Sequence, residues 1–275
     1  EQMRVPLGVI AMIYESRPNV TIDAAGLSLK SSNSIILRGG SEAINSNIIL
    51  SQLIKESLSS CKLPTALVQM IKTTERQAVT ELLKMNDYID VIIPRGGKSL
   101  IKKISSESSI PVIKHLDGNC HVYIDKYADY KIAMKCSVNS KTQRYGVCNA
   151  AETLIIHEKF PKKHAVSILE KLHKLGVEVR GCPRTKKIFD YTLKAKESDW
   201  YEEYLKPIIS VKVVKNIDEA IDHIEKYGSK HTDCIITKDN DMKNRFLKEV
   251  DSSSVMINTS TRFADGFEYG LGAEI

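Results

Sequence analysis

Apolar runs of strand length alternate with amphipathic stretches along nearly the whole chain, and that rhythm limits the fold more than any other feature. Gly8–Tyr14 is a continuous apolar run, the pattern of a strand buried on both faces rather than one with a wet side. A helix-like segment follows from Asn19 to Lys30. Ser34–Leu37 then reads as strand, about Ser41 to Leu58 as helix, Val68–Ile71 as strand, about Glu75 to Leu83 as helix and Ile89–Ile93 as strand, with another helix from about Lys98. Strands and helices in this order form a mostly parallel sheet covered on both faces. His121–Asp125 reads as a strand leading out of this first unit, and Ala128–Ser140 as a helix. Beyond it, Ala165, Ile168, Leu169 and Leu172 fall at i, i+3, i+4 and i+7, and Ile217, Ala220, Ile221 and Ile224 repeat that spacing. Strands near 153–157, 177–180, 208–214, 233–237 and 253–257 separate these helices. The polar segment Lys194–Glu203, which carries the only tryptophan, Trp200, reads as a surface loop. The expectation is α/β throughout, in two units.

Composition removes several function classes. A chain of 275 residues suits one large or two medium domains, and 42% hydrophobic with 27% charged residues is the balance of a globular protein. No apolar run approaches the ~20 residues that cross a bilayer, and Glu1–Pro6 lacks the apolar stretch of a signal peptide. The net charge is +6, but the basic residues are dispersed, with Lys162-Lys163 and Lys186-Lys187 only as pairs. That argues against a nucleic-acid surface and suits small anionic ligands. The cysteines at 61, 120, 136, 148, 182 and 234 show no CxxC spacing. Neither a metal site nor a disulfide framework is expected, and a reducing, cytoplasmic setting is. Cys120 and His121 are adjacent on a strand and point to opposite faces, so they do not form a dyad.

Two segments carry chemistry. Arg38-Gly39-Gly40 and Arg95-Gly96-Gly97 each follow an apolar strand and precede a helix. Paired glycines let backbone approach a ligand, the helix start offers free N–H groups, and arginine adds a forked donor. Together they are candidate phosphate or ribose sites; the alternative is two tight turns with solvated arginines. A GxGxxG fingerprint is absent. The second segment is Asn139–Thr153, which places a single thiol, Cys148, between basic and small residues ahead of the strand-like Thr153–His157. Small residues admit a substrate carbonyl, and Lys141 and Arg144 favour the thiolate, the nucleophilic form. Taken alone, a cysteine is more often a buried structural thiol.

These segments, with Pro6-Leu7-Gly8-Val9-Ile10, Tyr14-Glu15-Ser16-Arg17-Pro18-Asn19, Leu37-Arg38-Gly39-Gly40-Ser41-Glu42-Ala43, Cys148-Asn149-Ala150-Ala151-Glu152-Thr153 and Asn258–Gly266, resemble the gamma-glutamyl phosphate reductase family, a branch of the aldehyde dehydrogenase superfamily. The resemblance runs from residue 4 to residue 275. It implies an aldehyde dehydrogenase-like fold, with a Rossmann-like NADPH-binding domain over residues 1–124 and a second α/β catalytic domain over 125–275. The family has a further N-terminal helical segment and a C-terminal tail, so truncation at both ends is expected. The full-length protein is expected to be a homo-oligomer. The implied reaction reduces L-glutamyl 5-phosphate with NADPH to L-glutamate 5-semialdehyde and phosphate, in proline biosynthesis, through a thioacyl group on Cys148.

The superfamily's water-activating glutamate lies in a Glu-Leu-Gly-Gly type segment, and the comparable His115-Leu116-Asp117-Gly118-Asn119 lacks it. That suits an enzyme for which hydrolysis wastes the intermediate. The superfamily's oxyanion asparagine falls near Ser16, which leaves the backbone N–H of Cys148, with Asn149 or Asn139 as further donors. Arg38, Gly39, Ser41 and Glu42 match the segment meeting the adenosine ribose; Arg95, Gly96 and Gly97 match the turn near the pyrophosphate. Glu203 matches the glutamate meeting the nicotinamide ribose, although its residues alone suggest a solvated loop carboxylate. Ser260, Thr261 and Arg262 match the substrate-anchoring loop, with a salt bridge to Asp265 as the alternative for Arg262; Lys141 and Arg144 are candidates for the departing phosphate. The expected partners are L-glutamyl 5-phosphate and a glutamate 5-kinase, with neither nucleic acid nor membrane. Two alternatives stay open: the reductase domain of a bifunctional kinase/reductase synthase, and an inactive homologue acting as a binding partner.

Overall fold

In the computed structural model, which describes residues 3, 5–15, 17–114 and 117–272, the chain divides into two α/β units between residues 116 and 117. Ser16, His115 and Leu116, singled out above, lie outside the described residues.

The first unit runs β1 (Val9–Tyr14), α1 (Asn19–Lys30), β2 (Ser34–Gly39), α2 (Ile44–Ser60), β3 (Val68–Met70), α3 (Arg76–Leu82), β4 (Val91–Arg95) and α4 (Lys98–Glu107). Its sheet has the order β3-β2-β1-β4, with every pairing parallel. Side chains alternate across a strand, so the apolar run of β1 feeds two cores. Ile10, Met12 and Tyr14 pack with Val20 and Ala24 of α1 and Leu58 of α2, while Ala11 and Ile13 pack with Val79 and Leu82 of α3 and Ile104 of α4. The helices after β1 and β4 thus leave toward opposite faces. A crevice opens beyond the carboxyl ends of β1 and β2, bounded by α3 and α4.

The second unit runs β5 (Cys120–Ile124), α5 (Tyr130–Thr142), β6 (Ala151–His157), α6 (Lys162–Lys174), β7 (Glu178–Gly181), α7 (Pro183–Lys186), β8 (Leu193–Lys194), β9 (Ile208–Val214), α8 (Ile217–Tyr227), β10 (Thr232–Ile236), α9 (Asn240–Glu249) and β11 (Ser254–Ile257). Its parallel sheet has the order β11-β10-β5-β6-β9-β7-β8. Polar caps start three of its helices, α5, α8 and α9: Asp129 accepts the N–H groups of Lys131 and Ile132, Asn216 that of Glu219, and Asp239 those of Asp241 and Met242. Val122, Ile124, Leu154 and Ile156 bury against Ala133, Ile168 and Leu172; Tyr123, Ile155 and Ile235 bury against Ala220, Ile224 and Phe246.

Two expectations need correction. The strand near residue 121 does not end the first unit: β5 pairs with β6 and β10 at the centre of the second sheet, so the boundary falls before it rather than at 124/125. Trp200 is not on a surface loop. It is the buried end of a 3₁₀ turn over Glu197–Trp200 whose first two residues are exposed; its carbonyl accepts from Asn119 Nδ2 at 2.7 Å, and the Lys212 ammonium lies over its ring. Among the described residues no helix is long and apolar enough to cross a membrane.

Candidate functional site

Cys148 is exposed in the turn that joins α5 to β6. The turn is held from several directions. Ala150 N–H closes it on the Val147 carbonyl at 3.1 Å. On one side lies Gly118: a Cβ added there would fall 1.9 Å from the Cys148 carbonyl oxygen and 2.4 Å from its Cα, so only glycine lets the two backbones come this close. Gly118 N–H in turn donates to Glu203 Oε1 at 2.8 Å. The Cys120 thiol donates to the Cys148 carbonyl at 3.1 Å, and burial, aided by the charge of Asp233, keeps that thiol protonated well above the usual range. From another side, Thr261 Oγ1 donates to the Asn149 carbonyl at 2.7 Å, and Asn149 Nδ2 donates to the Ala264 carbonyl at 3.0 Å. Burial pushes the Cys136 thiol up to about 11 and that of Cys234 up to about 12. Those thiols are inert, whereas Cys148 meets solvent on a fixed turn, the arrangement a cysteine nucleophile needs.

Several expected roles change. Lys141 is not presented to a phosphate: it lies in the last turn of α5 facing the sheet, fully buried, with Nζ 2.5 Å from Glu152 Oε2. Burial drives both partners toward neutrality, lowering the lysine and raising the glutamate, while their attraction opposes each shift. Glu152 was missed by the sequence reading. The signal was available, since a carboxylate heading the apolar strand Thr153–His157 needs a buried partner. Asn149 is buried and its amide serves the Ala264 carbonyl, so it ties the turn down rather than meeting an oxyanion. Ser260 and Thr261 are buried as well; Ser260 Oγ pairs with Ser140 Oγ at 3.0 Å and Thr261 bonds Asn149, so both hydroxyls fasten the loop. Arg262 is the member that reaches outward. Its Nε donates to Gln143 Oε1 at 2.8 Å, while Asp265 accepts instead from Phe267 N–H at 2.9 Å. Arg144 is exposed ahead of the cysteine. Asn139 and Gln143 line a cavity of about 680 Å³ with Asn258, Ser260 and Phe263.

In the first unit, the crevice beyond β1 and β2 has a volume of about 570 Å³ and is lined by Glu15, Arg38, Ser41, Glu42, Thr74, Arg76 and Lys103 among others. Arg38 is buried and braces the rim, donating to the carbonyls of Gly39 and Thr74, each at 3.0 Å. Its Nε is buried with no partner among the described residues. Gly39 serves packing rather than ligand approach, because a Cβ there would lie 2.1 Å from Asn47 Nδ2 on α2. The turn after β4 also differs from expectation. Gly97 N–H, at the start of α4, donates to Glu15 Oε2 at 3.0 Å, and a Cβ on Gly96 would lie 2.7 Å from that same oxygen. An internal carboxylate therefore sits where a phosphate was expected, on the positive end of the helix. Arg95 is exposed at the end of β4 and does not line the crevice. Arg76, which the sequence reading passed over, does.

A parallel α/β unit with a crevice at its strand ends, and a second unit presenting a fixed, exposed thiol, define the class. Residues 1–186 match the aldehyde dehydrogenase family. Among solved structures, gamma-glutamyl phosphate reductase from Thermotoga maritima is 46% identical over 98% of this chain and 65% of its own, with a TM-score of 0.96. The reductase of that name from Saccharomyces cerevisiae is 36% identical over 97% and 67%, with a TM-score of 0.43. An acetylating aldehyde dehydrogenase from Geobacillus thermoglucosidasius is 20% identical over 98% and 68%, with a TM-score of 0.71, a likeness of fold alone. The chain belongs to the aldehyde dehydrogenase family, and the expected α/β fold of that family is borne out. It spans 65% of the length of the Thermotoga maritima reductase.

Proposed function

We propose that this chain carries the chemistry of an NADPH-dependent reductase that converts L-glutamyl 5-phosphate to L-glutamate 5-semialdehyde and phosphate, in proline biosynthesis. The observation that carries the reading is the exposed Cys148 on a turn pinned by Gly118, Cys120 and the Thr261 loop. The 46% identity to the Thermotoga maritima reductase supports the choice of substrate.

In this reading the Cys148 thiolate attacks the acyl carbon, the carbon–oxygen bond to phosphate breaks, and a thioester forms on the sulfur. NADPH, when bound, would supply the hydride that takes the thioester carbon to the aldehyde level. The carbon–sulfur bond then breaks and Cys148 is a thiolate again. Arg262, oriented by Gln143, is the donor for the substrate's amino-acid carboxylate, and exposed Arg144 is the cation for the leaving phosphate. With Asn149 engaged internally, the backbone N–H of Cys148 and the Asn139 side chain are the oxyanion donors we assign.

The first unit fits a dinucleotide. The buried Arg38 Nε has no partner among the described residues and stands beside a crevice of about 570 Å³, which is ligand-sized. Arg38, Ser41 and Glu42 would hold the adenosine ribose, and the Gly97 amide would serve a phosphate once Glu15 leaves it. Glu203 is the candidate for the nicotinamide ribose. Supply by a glutamate 5-kinase, assembly as a homo-oligomer and a cytoplasmic setting belong to the same proposal. The test is NADP reduction by the semialdehyde. Turnover that requires phosphate and disappears in Cys148→Ala supports the reading; turnover indifferent to phosphate points instead to an ordinary aldehyde dehydrogenase.

A further inference from the structure

The steps above use neither member of the Lys141–Glu152 pair, although both side chains are fully buried and 2.5 Å apart. Stability alone is a weak reason for such a pair, because apolar residues of similar volume often replace a buried ion pair without loss. Its placement gives a better one. Lys141 stands in the last turn of α5 and Glu152 near the start of β6, so together they bracket the turn that presents Cys148. Glu152 is also an extra residue in its strand: Cys120 faces Ala151 while the next residue, His121, faces Thr153. Such bulges re-aim side chains and occur beside active sites.

The second oxygen of Glu152 accepts the Leu205 N–H at 3.2 Å. Leu205 has a φ of 51°, a left-handed conformation that a leucine keeps only where its surroundings hold it. The same segment carries Glu203, whose carboxylate takes the Gly118 N–H at 2.8 Å, and Gly118 lies against the Cys148 backbone. The contacts form a closed circuit that begins and ends at the nucleophile turn.

We propose that the Lys141–Glu152 pair is a positioning device, a clasp that closes the base of the Cys148 turn and couples it to the Glu203 segment. Its effect on turnover rests on the acyl-transfer reading; its effect on the motion of the two segments does not. The experiment compares the parent chain with Glu152→Gln, which weakens the clasp, and with the double variant Lys141→Met/Glu152→Leu, which keeps volume but removes the acceptor for Leu205. Hydrogen exchange is measured across residues 143–150 and 203–206, alongside melting and phosphate-dependent semialdehyde oxidation.

The double variant is expected to melt near the parent, yet exchange about tenfold faster in both segments while β9 and β10 stay protected. Its kcat is expected to fall about tenfold with KM changed less than about threefold, since misplaced groups slow turnover more than binding. Glu152→Gln is expected to show a smaller, matched rise in both segments, and it carries the comparison if the double variant does not fold. Unchanged exchange, a rise in one segment only, or an apolar pair that restores both melting and kcat overturns the proposal. If the parent shows no phosphate-dependent turnover, the acyl-transfer reading fails and the exchange result alone decides the clasp.

Discussion

Alanine at Gly118 adds one methyl group where the structure has no room for it. The new Cβ would stand 1.9 Å from the Cys148 carbonyl oxygen, 2.4 Å from its Cα and 2.5 Å from its carbonyl carbon. All three are backbone atoms, so no flexible side-chain end can swing aside. Restoring ordinary contact at about 3.4 Å requires ~1.5 Å of relative movement between the two segments. Overpacking of this kind costs about 1–3 kcal/mol of stability. A displacement of ~1 Å at a reacting atom can cost ~100-fold in rate, or about 2.7 kcal/mol of barrier. Gly146 provides the control: it lies in the same turn region, and a Cβ there meets nothing within 4 Å. The assay is kcat for phosphate-dependent semialdehyde oxidation, with the melting midpoint and the rate of Cys148 alkylation by iodoacetamide measured in parallel. We expect Gly118→Ala to lose ~100-fold in kcat and a few degrees in melting, and Gly146→Ala to stay within about threefold of the parent. Equal behaviour of the two variants would refute the idea that Gly118 fixes the nucleophile.

Removing the guanidinium with Arg262→Ala should raise KM for the semialdehyde about 10- to 100-fold while kcat changes little, the range of one charged hydrogen bond; a loss confined to kcat would show that Arg262 does not anchor the substrate. Replacing Arg38 with Met should weaken NADP binding at least about tenfold by calorimetry, and an unchanged affinity would remove the crevice as the cofactor site. His223 is held at about 2 by burial, assisted by the nearby charge of His121 and Lys212. Because the unfolded imidazole titrates near 6.5 and the folded one far lower, the unfolded chain binds the extra proton as pH falls, and stability drops below about pH 6.5. Between pH 7.5 and 5.5 that linkage amounts to about 1.4 kcal/mol, which His223→Phe should abolish in urea titrations. The parent's absolute slope is blunted, since burial raises Glu152 and contributes with the opposite sign as pH rises, so the difference between the two proteins is the quantity to measure. Identical pH dependence in parent and variant would contradict a neutral, buried His223.

The repeating order of elements was legible because each rests on local rules. Helix α1 spans Asn19–Lys30 and strand β9 spans Ile208–Val214, as the apolar spacing indicated. What spacing could not show was partnership. Strand β5 looks like the end of a first unit until its neighbours are known, and those neighbours, β6 and β10, follow it in the chain. The same limit applies to the site. Cys148 stood out through its small neighbours, but Lys141 and Arg144 carry the same charge in the sequence and part company only when one faces the sheet and the other faces water. Gly39 and Gly97 look like ligand glycines, yet one makes room for Asn47 and the other has its amide on Glu15. Leu205 acts through a contact made only after folding, and periodicity gives no warning of it.

A single-turnover experiment without phosphate tests the account at its centre. Enzyme mixed with the semialdehyde and NADP should give a burst of NADPH close to one per active site, then stall with a glutamyl group on the Cys148 peptide, located by mass spectrometry. Adding phosphate should release the burst into steady turnover. A modification mapped to another cysteine, or sustained turnover by Cys148→Ala, would contradict it.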